Sequence, residues 1–235
     1  MKINKTLVLV IIFSLTACVL HAVILNAGLN QYLFTSALKL CVFILFPIIC
    51  YKYFFSKNFS DIKALLLCKE QGKGIKLSFG VGFAVFAVMM LVFVIIRGYL
   101  EREMIVDALA VNNITPQTYP FVFAYVIIIN AFMEEFFFRG FVFLTLYNAG
   151  FKRVAYVYSS LLFSLYHIFI MNRLFSLGIF IFMLCGLVAA GLIFNELARR
   201  CKSVAGSLIV HISANIAINL VGVYYFYIVK YCEGG

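Results

Sequence analysis

The chain has 235 residues, of which 65% are hydrophobic and 12% charged, and its mean hydropathy is +1.08. Soluble domains run at about 45–50% apolar and about 25% charged, so this composition excludes one and implies a single integral membrane domain over residues 1–235. The formal charge of +10 does not point to nucleic acid, because the basic residues sit in short loops between apolar runs, where they set membrane topology.

The first apolar run covers 6–25, behind Lys2 and Lys5. Leu15-Thr16-Ala17-Cys18 looks like a lipoprotein cleavage box, but the following VLHAVIL continues the apolar run, so an uncleaved span is expected. His21 reads as a packing residue of this span. The second run, 32–55, carries Lys39, which can snorkel to the interface or face the bundle in a structural role. The third covers 75–98. The polar stretch 101–117 has the pattern of a short interfacial helix ending before Pro116. The remaining runs are 118–147, 154–171, 174–198 and 206–229, giving seven spans and an all-α bundle. The fourth is the longest and should tilt or project. Near the end of the sixth, Glu196 and Asn195 stand beside Arg199 and Arg200, a local ion pair.

With the N-terminus in the cytoplasm, inner segments carry thirteen Lys and Arg and outer segments four, which fixes the orientation. The cysteines at 18, 41, 50, 68, 185, 201 and 232 show no CxxC spacing. They read as small hydrophobes rather than a disulfide framework or a metal site.

The fourth span holds the unusual chemistry, NAFMEEFFFRGF over 130–141. Carboxylates at the centre of a bilayer cost about 2.5–3.5 kcal/mol each on insertion scales. Glu135 and Arg139 are four apart, on one helical face, and neutralise each other. Glu134 lies about 100° further round, so Arg139 is not its partner and its charge is unexplained. The fifth span carries His167 in FSLYH; the seventh carries His211 and, one turn on, Asn215. At about 1.5 Å per residue from the cytoplasmic ends, Glu134 and His167 reach similar depths and His211 and Asn215 come out shallower.

A shared cavity of these groups supports three chemistries. Glu134 with a histidine can activate water while the second histidine and Asn215 stabilise an oxyanion, which is peptide hydrolysis without a nucleophilic side chain. Glu134, His167 and His211 can instead hold zinc with an open position. A proton or ion relay is the third, disfavoured because neither paired repeats nor broken helices are visible. For zinc, the second partners that fix histidine tautomers are not apparent, since Glu135 would have to give up Arg139.

Glu134-Glu135-Phe-Phe-Phe-Arg139, Phe163-Ser-Leu-Tyr-His167 and His211-Ile-Ser-Ala-Asn215 resemble, in order, the EExxxR, FxxxH and HxxxN motifs of the CAAX protease and bacteriocin-processing (CPBP) family of intramembrane endopeptidases. The resemblance covers a core of about 118–220. It implies roughly eight helices, against the seven counted here. It also implies water activation by Glu134 and His167, an oxyanion site of His211 and Asn215, and support from Glu135 and Arg139. No cofactor is then required, although a zinc-dependent account of the family competes. The expected partners are a peptide or small protein substrate and the lipid bilayer of the cell membrane, without nucleic acid. A non-proteolytic immunity or scaffold protein is the alternative. The first hundred residues carry no motif, so the substrate is not named.

Overall fold

The computed structural model describes residues 4–26, 32–68, 73–99, 105–106, 114–171 and 177–228. Most of the expected interfacial helix 101–117 and Cys232 lie outside the described residues. The described residues form helices without a strand. We label them α1 (Lys5–Asn26), α2 (32–54), α3 (Phe59–Ala64), α4 (Lys73–Ile96), α5 (Tyr119–Asn148), α6 (Lys152–Met171), α7 (Leu177–Cys201) and α8 (Ala205–Ile228).

Six of these, α1, α2, α4, α5, α7 and α8, are long and apolar enough to cross a membrane. They turn large apolar side chains such as Phe83, Leu91, Ile95 and Phe121 outward, as lipid-facing surfaces require. The expected fifth span, α6, is the exception on composition. Its serines and tyrosines lower its hydropathy, yet they face protein. The Ser159 hydroxyl donates to the Phe138 carbonyl, Ser164 to the Leu184 carbonyl and Tyr156 to Glu196. α6 runs antiparallel to α5, pairing Tyr156 with Phe143 near one end and Tyr166 with Glu134 near the other. It therefore lies alongside the spanning helices, with its polar face satisfied by them.

Small residues set the closest approaches. Gly191 of α7 lies so near Ser160 that an added Cβ would stand 2.9 Å from its Cα. Gly82 of α4 meets the Ser213 side chain of α8, where an added Cβ would stand 2.7 Å from Oγ. Such contacts let apolar helices pack where no hydrophobic drive exists between them.

Two helices depart from α geometry for local reasons. In α2, Cys41–Leu45 forms a π-helical turn, with Phe46 N–H reaching back to the Cys41 carbonyl, immediately before Pro47. Proline has no N–H and its ring crowds the carbonyl four residues back, so a widened turn relieves both problems. In α5, π-helical stretches Val126–Asn130 and Phe136–Leu144 flank the α-helical turn Ala131–Glu135, which carries both glutamates. All nine residues of the second stretch are buried. Tyr51 of α2 ties this stretch down, donating to the Gly140 carbonyl at 2.7 Å.

Candidate active site

α5 runs through the bundle between α2, α6 and α8, and the site forms where these four meet. Glu134, Glu135 and Arg139 are buried, as is His211 on α8, and His167 on α6 is half-buried. The structure thus brings together five of the six site residues expected from the sequence.

Glu134 uses its two oxygens differently. Oε1 accepts from Lys39 Nζ of α2 at 2.7 Å, from Asn130 Nδ2 at 3.0 Å and from the Tyr166 hydroxyl at 3.3 Å. Lys39 Nζ also donates to Asn130 Oδ1. Oε2 faces His211 Nε2 at 3.6 Å and His167 Nε2 at 3.8 Å. Those distances exceed direct hydrogen bonds.

Each histidine is oriented from its far side. His167 Nδ1 lies 2.8 Å from the Phe163 carbonyl, one turn earlier on α6. The FxxxH spacing follows, because the carbonyl of residue i lies beside the side chain of residue i+4. His211 Nδ1 lies 2.8 Å from Glu135 Oε1. Both Nδ1 atoms face acceptors, which favours a proton there, and both Nε2 atoms point toward Glu134 Oε2.

Arg139 is paired with Glu135 at 3.2 Å, as the spacing indicated. Its guanidinium also lies 4.1 Å from the Phe163 ring centroid and 4.8 Å from that of Phe194, an aromatic box that stabilises a cation out of water. Phe194 stacks on His211 at 5.4 Å as well. One buried cluster thus fixes Arg139, Glu135 and His211 together.

Asn215 is placed differently from the others. Its Nδ2 donates to the Val126 carbonyl at 3.0 Å. That carbonyl also accepts the Ala131 N–H across the π-helical turn of α5. Asn215 is thereby fastened to α5 one turn from His211.

Three members of the site escape the sequence reading. Lys39 does not snorkel to the interface: it faces the bundle and is the missing partner of Glu134. Asn130 sits four residues before Glu134 and was findable by helical spacing. Tyr166 adjoins His167, and only the packing of α6 on α5 directs it to Glu134. His21 packs behind the site, its ring 5.1 Å from Tyr166 and 5.4 Å from Phe43.

The geometry also changes the case for zinc. Glu135 serves His211 while keeping Arg139, so the expected lack of second partners does not hold. A different feature makes the set a poor fit to a dication. The Lys39 ammonium already neutralises Glu134, the only carboxylate in the set, and Glu135 Oε1 is taken by His211 and Arg139. Among the described residues, no group of three His, Cys, Asp or Glu has metal-holding geometry.

The helical bundle and its buried Glu–His centre define an integral membrane protein with a polar site enclosed between spans. Residues 116–217 match the family described as type II CAAX prenyl endopeptidase, Rce1-like. The match covers less than half of the chain and falls on the same segment as its three motifs. No curated protein and no solved structure matches the chain.

Proposed function

We propose that the chain is an intramembrane endopeptidase that hydrolyses a peptide bond within, or near the C-terminus of, a small membrane-associated protein or peptide. One observation carries the reading: the Nε2 atoms of His167 and His211 converge on Glu134 Oε2, at 3.8 and 3.6 Å. Water, with two hydrogens to donate and a nucleophilic oxygen, complements such a set. In the proposed reaction the water oxygen attacks the scissile carbonyl carbon while its proton passes to Glu134 Oε2. His167 Nε2 accepts from the other O–H and orients it. The carbonyl π pair moves to oxygen; when it returns, the C–N bond breaks and the amine leaves with the proton from Glu134. His211 as an imidazolium, with Glu135 across the ring as counter-ion, and the second N–H of Asn215 donate to the oxyanion. No bound metal is required. The inner surface of a cell membrane is the proposed location for the N-terminus and for the Lys-rich segments.

The test needs no prior substrate. Purified protein and Glu134→Gln are incubated with a proteome-derived peptide library and with a farnesylated peptide ending in a Cys-a-a-X sequence, and products are read by mass spectrometry. Cleavages made by the parent and missing in the variant support the reading. Identical product sets for the two proteins overturn it. Stoichiometric zinc, with activity lost to a chelator and restored by zinc, overturns the metal-free form of it.

A further inference from the structure

We infer that Lys39 is a further catalytic residue of the proposed site, donating to the oxyanion as the scissile carbonyl accepts electrons. The inference rests on the protease reading above. An ammonium group has three N–H donors. Two are used, one by Glu134 Oε1 at 2.7 Å and one by Asn130 Oδ1. The third has no partner among the described residues. Lys39 Nζ therefore stands beside the carboxylate that takes the water's proton, and it is only 9% exposed on its side chain. A positive charge excluded from water acts strongly on a charge that develops nearby.

The groups otherwise assigned to the oxyanion are less ready in this arrangement. Asn215 commits one N–H to the Val126 carbonyl, and His211 has the Glu135 carboxylate across its ring, which offsets any positive charge on it. Of the two cations of the site, Arg139 lies against Glu135 between the Phe163 and Phe194 rings, and Lys39 is the one whose ammonium lies against Glu134. It rests 5.5 Å from the Phe43 ring centroid and 5.2 Å from that of Tyr166, and these rings hold it on the Glu134 side of α2. In the reaction, the water oxygen bonds to carbon, the π pair moves to the carbonyl oxygen, and the third N–H of Lys39 hydrogen-bonds to that oxygen. No proton leaves Lys39, and the bond is given up when the tetrahedral species collapses with loss of the amine.

A simple counter-ion to Glu134 makes a different prediction, and the two are separated in a background without that carboxylate. The probe is a phosphonate analogue of the best-cleaved peptide from the library screen, a tetrahedral anion. Its affinity and that of the intact peptide are measured for Glu134→Gln and for Glu134→Gln/Lys39→Met, both inert and neither holding a carboxylate for Lys39 to neutralise. Loss of one oxyanion donor typically costs about 10²–10³-fold. The phosphonate should therefore bind at least ~30-fold more weakly to the double variant, while the intact peptide changes by less than ~3-fold. Glu134→Gln/Lys39→Arg should recover most of the phosphonate affinity because the cation returns. Equal phosphonate affinities, or equal losses for phosphonate and peptide, overturn the role of Lys39 and leave the protease reading standing. Absence of Glu134-dependent cleavage in the screen overturns both.

Discussion

Lys39→Met removes the ammonium that lies 2.7 Å from Glu134 Oε1. Among the described residues the carboxylate then keeps only Asn130 at 3.0 Å and the Tyr166 hydroxyl at 3.3 Å as donors, both neutral, at a position 2% exposed. Breaking a buried pair from one side costs about 3–5 kcal/mol. At roughly 2–4 °C per kcal/mol for a chain of this size, the variant should melt about 6–20 °C lower. Glu134→Gln is milder, about 1–3 kcal/mol, because the amide oxygen still accepts from Lys39. Before the pair is seen, that change looks harmless, since it removes a costly carboxylate; Lys39 reverses the expectation. The double variant buries no charge here and should melt near Glu134→Gln, a coupling of about 2 kcal/mol or more. Melting curves of the four proteins in one detergent decide it. If the two effects add to within about 0.5 kcal/mol, the ion pair does not stabilise the fold and the reasoning fails.

Three further outcomes are expected. Arg139→Ala strands Glu135 and empties the space between Phe163 and Phe194, so protein level and melting temperature should both fall, by about 3–5 kcal/mol; Arg139→Lys should lose less, since charge returns without the flat contact to the rings. Gly191→Ala pushes a methyl into the Ser160 backbone and should cost about 1–3 kcal/mol in melting experiments, whereas Gly186→Ala, with open space around it, should be neutral. A reporter fused after Lys63 should read cytoplasmic and one after Gly98 external, from the thirteen-to-four asymmetry of basic residues; the opposite readings at both points would invert the topology.

Much of this protein is decided by local rules and is legible in the residues. Apolar runs of about 20 residues can satisfy their backbone only as helices in lipid, and the spans follow. The Glu135–Arg139 pair follows from helical spacing, as does the His167 contact with the carbonyl of Phe163. The Glu196 pairing with Arg199 and Arg200, at 2.6 and 2.7 Å, is equally local. α6 marks the limit of such reading, because its serines and tyrosines count against a span until their partners on α5 and α7 are known. Lys39 is 95 residues from Glu134 in the chain. Asn215, likewise, turns to a carbonyl on another helix instead of standing with the glutamate. The π-helical stretches of α5 alter which side chains share a face around Glu134, and no residue pattern announces them. Periodicity fixes where a side chain lies around its own helix. Which partner it meets depends on each helix's rotation and depth against its neighbours, and these are set only when the helices pack together.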